Sequence, residues 1–191
     1  MSTEDKILRA SLKLFSKYGY SEVTTKKIAD ESGVNEVTIF RKFGSKSNLF
    51  QQIITNYSKE GNIIKHLKKE LTGTFEKDIM IYAKNFYLFL LNNEPFYKIQ
   101  VKQVDEKALK FTNSLKYKIF FVEYLEEKKK SDEFIGNPEV TAILLVSFIM
   151  GIFTFQVFNK VILENVKVED LIEIEVKKII LENDRRKHQC L

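Results

Sequence analysis

The stretch Thr24–Phe43, TTKKIADESGVNEVTIFRKF, constrains this chain more than any other part of it. It predicts two short helices joined by a tight turn. Thr24 or Thr25 suits the cap of the first helix, because a hydroxyl oxygen accepts from a free backbone N–H of the first turn. Ile28 and Ala29 give that helix a small apolar face. Gly33 closes it, since glycine takes the left-handed conformation without steric penalty. Asn35 is a good cap for the second helix. Ile39 and Phe43 stand four residues apart and share one face, which belongs to the core. Glu36, Val37, Phe40 and Arg41 fall on other faces. A two-turn helix that turns an aromatic ring and a cation outward is poorly explained by packing alone. It suits a helix that enters the major groove of DNA.

The flanking residues extend the pattern. KILRASLKLFSKYGY precedes the turn motif, and GSKSNLF follows NEVTIFRKF directly. Across these four helices, residues 3–60 resemble the DNA-binding domain of the TetR family of bacterial transcriptional regulators. The resemblance implies an all-α protein whose N-terminal helix-turn-helix domain reads double-stranded DNA at a palindromic operator. It also implies a helical second domain that dimerises and commonly holds a small molecule. The family commonly has Gly or Ala where Val37 stands, Tyr where Phe40 stands, and Tyr or His where Lys42 stands.

The residues themselves give the interface its chemistry. Lys46 opens the fourth helix, where backbone N–H groups and its own charge both suit a phosphate, and the resemblance implies the same role. Thr25 can bond a phosphate or cap its own helix. Lys26, Lys27 and Lys42 are phosphate neutralisers. Asn35 lies at the start of the reading helix. Val37 and Thr38 suit thymine methyl groups, Glu36 can accept from cytosine N4, and Arg41 suits guanine or a phosphate. Phe40 donates no hydrogen bond, so it packs on sugar, on base, or in the core.

The composition admits a well-packed helical protein. Of 191 residues, 44% are hydrophobic and 13% aromatic, and there are only 2 prolines and 7 glycines, which suits long uninterrupted helices. The net charge of +5 permits a polyanionic partner. It divides as +3 over residues 1–60, +5 over 61–130 and −3 over 131–191. Cys190 is the only cysteine, so no internal disulfide forms. The start MSTEDK is polar and lacks the apolar run of a signal peptide, which makes the cytoplasm the expected compartment.

Along the chain, helices are predicted at about 3–18, to about 60 from a cap at Ser45, and near 63–71. Others follow at about 75–93, 96–106, 107–130, 138–163 and 168–186. A domain boundary is placed at Gly61–Asn62, giving a DNA-binding domain at 1–61 and an effector and dimerisation domain at 62–191. Ala142–Phe158 is apolar all round, near the lower length limit for a membrane span. Ser147, Thr154 and Gln156 interrupt it, so a buried central helix is the reading taken, with no membrane.

No phosphate-cradling glycine loop, nucleophile elbow or paired histidine is present, so neither an enzyme nor a cofactor or metal site is expected. The second domain is rich in aromatic residues. A pocket lined by Tyr82, Asn85, Phe86, Phe89, Gln100, Phe111, Tyr117 and Phe120 is the expectation, for an apolar or weakly polar ligand. Phe148, Ile152, Phe155, Leu171, Ile174 and Ile179 are expected in a two-fold homodimer interface. Two alternatives stand beside this reading. One is a DNA-binding protein on the same scaffold governed by a protein partner, with no small-molecule inducer. The other is a small helical enzyme or membrane-attached protein.

Overall fold

The computed structural model describes residues 1–59, 63–102, 112–159 and 165–189, and the elements among them are helices. The chain divides into two compact units. One takes residues 1–61 with 93–111, and the other takes 62–92 with 112–191.

The first unit holds α1 (Thr3–Tyr18), α2 (Thr25–Ser32), α3 (Glu36–Phe43), α4 (Lys46–Lys59) and α7 (Glu94–Lys102). Ser2 caps α1: its hydroxyl accepts from the Asp5 N–H at 3.1 Å, and the Asp5 carboxylate accepts from the Ser2 N–H at 3.0 Å, a reciprocal capping box. Hydrogen bonding to its carboxylate from the Ser2 hydroxyl and then from the Ser2 backbone holds the Asp5 carboxyl below its usual range. Thr24, not Thr25, caps α2, accepting from the Lys27 N–H at 3.2 Å. Gly33 ends it at φ 68°, ψ 32°, a conformation a side chain resists. Asn35 caps α3 and Ser45 caps α4, each accepting from a first-turn N–H. The core joins Ile7, Leu14 and Phe15 of α1 to Ile28, Ile39, Phe43, Leu49, Phe50 and Ile53.

α7 corrects the sequence reading, which assigned everything after residue 62 to one domain. Ile99 of α7 lies in the first unit's core, and α7 packs along α1. The Lys102 ammonium donates to the carbonyls of Ser16 and Lys17 at 2.8 and 2.7 Å. Those carbonyls end α1 without helical partners, so a cation there satisfies them and complements the helix dipole.

The second unit holds α5 (Ile63–Glu70), α6 (Phe75–Asn92), α8 (Thr112–Lys130), α9 (Pro138–Phe158) and α10 (Val168–Gln189). α6 packs against the other four. Asp78 is buried yet fully satisfied: its carboxylate accepts from the Thr72 N–H and hydroxyl, the Gly73 N–H and the Tyr124 hydroxyl, at 2.6–3.0 Å. These bonds fasten the α5–α6 turn to α8. Burial, and then the Asp78 carboxylate, push the Tyr124 phenol well above its ordinary range. Asn183 of α10, also buried, accepts from the Ile135 N–H and donates to the Glu133 carbonyl, tying α10 to the α8–α9 loop.

α9 is buried on one side only. Ala142, Leu145, Ile149, Phe153 and Val157 recur at helical spacing and face the core, while Val140, Ile143, Leu144, Phe155 and Phe158 on other faces are exposed. The expectation of a helix buried all round is therefore met on one side within a single chain. α9 is long and apolar enough to cross a membrane, with mean hydropathy 2.2.

Candidate nucleic-acid interface

α3 is held from behind by Ile39 and Phe43, both buried. Its orientation against α2 is fixed by a side-chain bond: the Thr25 hydroxyl donates to the Glu36 Oε1 at 2.5 Å. The Asn35 amide oxygen is used as well, accepting from the Val37 N–H at 2.9 Å. Outward, the helix presents Val37, 70% exposed, Phe40, 48% exposed, and the exposed Arg41 and Lys42. Thr38 is half-buried beside them. Phe40, left open between core and surface by the sequence, is thus an outward residue.

The basic residues fall into two groups. Lys26, Arg41 and Lys42 are exposed. Lys27 is exposed too, and its ammonium donates to the Glu22 carbonyl at 3.1 Å. Lys46 differs. Its ammonium donates to the carbonyls of Tyr20 and Val23 at 3.0 and 2.9 Å, and it sits 4.2 Å from the centre of the Tyr20 ring. Two of its three protons are therefore spent fastening the α1–α2 loop to the start of α4, with cation–π attraction added. Tyr20 packs in turn on Phe15 and Phe50. The sequence reading gave Lys46 only a phosphate and gave Tyr20 no role. An aromatic at the loop was the one signal available.

Tyr82, Phe86, Phe89, Tyr117 and Phe120 are buried in the second unit. Tyr117 meets Phe86 and Phe89 at ring-centre distances of 4.9 and 5.3 Å, and Tyr82 stacks on Phe121 at 4.0 Å. The Tyr82 hydroxyl donates to the Tyr117 carbonyl at 3.0 Å. Burial raises both phenols well above their ordinary range. These rings pack on one another. Asn85 donates to Glu70 and to the Ile81 carbonyl, so its amide is engaged with protein. Gln100 is buried on α7, in the first unit. Phe111 lies outside the described residues.

The expected interface residues lie on surface or half-buried positions of α9 and α10. Phe155 is 51% and Ile174 52% exposed, and Phe148, Ile152, Leu171 and Ile179 are half-buried. An open groove of about 260 Å³ runs between the N-terminal half of α9 and α10, with Val140, Leu144 and Ile179 on its apolar side.

Comparison with known proteins agrees with this geometry. Residues 7–53 match the family described as bacterial regulatory proteins, tetR family. The uncharacterized HTH-type transcriptional regulator YvkB of Bacillus subtilis is 28% identical over 159 residues, covering 79% of this chain and 81% of that protein. An HTH-type transcriptional regulator of Staphylococcus aureus, SAB2452, is 26% identical over 150 residues, covering 78% of each. The fold is shared with the crystal structure of the transcriptional regulator FadR from Bacillus subtilis in complex with stearoyl-CoA. That match has a TM-score of 0.70 at 18% identity and covers 92% of this chain and 97% of the other.

Proposed function

The chain belongs to the TetR family of bacterial transcriptional regulators, and we propose that it is a ligand-responsive repressor acting as a homodimer on a palindromic operator. The observation that carries this is the outer face of α3. Val37, Phe40 and Arg41 stand exposed on a helix whose other face is anchored by buried Ile39 and Phe43. Folding accounts for the anchors and not for the outward residues. Exposed Lys26, Arg41 and Lys42 supply the charge to hold phosphates on either side of a groove. The third proton of Lys46 remains for a phosphate at the start of α4.

Dimerisation is supported by the apolar strips of α9 and α10. A helix with Leu144 and Phe155 exposed along one side gains by burying it, and a two-fold pairing of the same surface closes the assembly. The two copies of α3 then meet two half-sites of opposite orientation. The second unit, residues 62–92 with 112–191, serves for effector binding and dimerisation, and the protein works in the cytoplasm with its DNA. An apolar or weakly polar effector fits the aromatic interior. The fold neighbour is in complex with stearoyl-CoA, whose acyl chain is apolar and whose CoA carrier is polyanionic, and only the acyl part matches this chemistry. Such a molecule releases DNA only to the extent that it binds the non-reading state more tightly.

A second reading replaces the small molecule by a protein partner. Its support is that Tyr82, Phe86, Phe89 and Tyr117 of the second unit are buried and already make ring contacts within the protein. Selection of bound duplexes from random DNA tests the central assignment. The expected result is an enriched inverted repeat. Uniform binding of all sequences would refute a sequence-specific regulator. Titration of the selected operator complex with acyl-CoA and free fatty acid separates the two modes of control.

A further inference from the structure

We propose that α3 reads its half-site through the 5-methyl groups of thymine, with Val37 and Phe40 as the side chains that touch them. The proposal rests on the assignment of α3 as the groove-reading helix and names what that helix recognises.

The polar groups at the start of α3 are already engaged. The Glu36 carboxylate accepts from Thr25 at 2.5 Å, and the Asn35 amide oxygen accepts from the Val37 N–H at 2.9 Å. Two of the exposed side chains are apolar: Val37 at 70% and Phe40 at 48% exposure. They lie three residues apart, so they are neighbours on the helix surface. Neither can give or take a hydrogen bond. The core contacts of α3 are made by Ile39 and Phe43, and neither Val37 nor Phe40 is buried with them.

Charge identifies the occupant of this face. Arg41 and Lys42 on the same helix and Lys26 on α2 are exposed around the apolar pair. A cationic rim about an apolar centre fits a polyanion whose interior offers apolar groups. In the major groove of DNA the apolar group is the thymine C5-methyl, absent from cytosine, adenine and guanine. Burying one such carbon is worth about fourfold in affinity. Arg41 remains free to fix register on guanine or phosphate.

The test uses the full-length protein and an operator recovered from random duplexes. Each thymine of a half-site is replaced in turn by deoxyuridine, which keeps every hydrogen bond and removes only the methyl. The expected result is an affinity loss of about fourfold at one or more positions of each half-site. At those positions the difference between thymine and uracil should vanish in Val37→Ala or in Phe40→Ala. Replacing cytosine by 5-methylcytosine where a thymine-to-cytosine exchange weakens binding should recover part of the loss. Both variants alter exposed side chains, and unchanged melting temperatures verify that they fold. Equal affinity for thymine and uracil operators would overturn the proposal while leaving the regulator assignment intact. So would a thymine–uracil difference that survives undiminished in both variants. A selection that enriches no sequence would overturn the regulator assignment and this proposal with it.

Discussion

The Thr25 hydroxyl and the Glu36 carboxylate, 11 positions apart in sequence, meet at 2.5 Å and join the first turns of α2 and α3. The bond orients the reading helix and occupies a negative charge that would otherwise face phosphates. Thr25→Val keeps the shape and removes the donor. It should cost about 1–2 kcal/mol of stability, since the acceptor is charged and half-buried. It should also weaken binding to matched and random duplexes alike, because the released carboxylate repels both. In a double-mutant cycle with Glu36→Gln, denaturant melts should show coupling. Additive effects would mean the two side chains act independently.

Lys46 combines two roles that experiment can separate. Its bonds to the Tyr20 and Val23 carbonyls predict that Lys46→Met lowers stability by about 1–2 kcal/mol. Its remaining proton predicts weaker binding to any duplex and a salt slope smaller by about one per half-site. Binding titrations at several salt concentrations read the second effect, and thermal melts read the first. A destabilised variant with an unchanged salt slope would assign Lys46 to loop fastening alone.

The first unit was largely legible because its signals are local. Caps at Thr24, Asn35 and Ser45, the left-handed Gly33 and the Ile39–Phe43 pair are each set by residues within one or two turns. Long-range partners were not legible. Nothing near Lys46 in sequence announces a Tyr20 ring 26 positions earlier. Nothing near Ile99 announces that α7 returns to α1. The aromatic density of α6 and α8 does not by itself separate core from pocket. Tyr82 and Tyr117 carry both the bulk to fill a core and the hydroxyl to satisfy a buried group, so core and pocket share one composition. The exposed side of α9 carries Phe155 of the expected pairing surface, but apolar content reports that a face needs cover, not which chain covers it.

The buried phenols make stability fall in alkali. Tyr82, Tyr117 and Tyr124 all have their pKa raised in the folded state above the ordinary 10.0. Between the unfolded and folded values, the unfolded chain has lost protons that the native state retains, so rising pH favours unfolding. Stability should therefore hold below pH 10 and decline above it. The limiting slope is about 1.4 kcal/mol per pH unit for each tyrosine. Tyr124→Phe should lower stability at neutral pH, since Asp78 loses one of its donors, and should also flatten the alkaline decline. Denaturant melts across pH 8–11 measure both. An alkaline slope identical in wild type and variant would mean that Tyr124 ionises normally in the native state.

The last prediction concerns the apolar strips of α9 and α10. Leu144 at 61%, Phe155 at 51% and Ile174 at 52% exposure, with half-buried Phe148 and Ile152 beside them, leave a continuous need for cover. If a second copy covers them, Phe155→Glu places two like charges near a two-fold axis in an apolar seam, a cost no local repacking removes. Ile174→Glu tests the α10 side in the same way. Sedimentation at micromolar concentration should show wild type as a dimer and Phe155→Glu as a monomer, with helical circular dichroism retained in both. The monomer should lose operator affinity by far more than it loses affinity for a single half-site, because joining two readers raises the local concentration of the second. A wild-type monomer with intact helicity would refute the dimer. A Phe155→Glu dimer as stable as wild type would move the interface away from this face of α9.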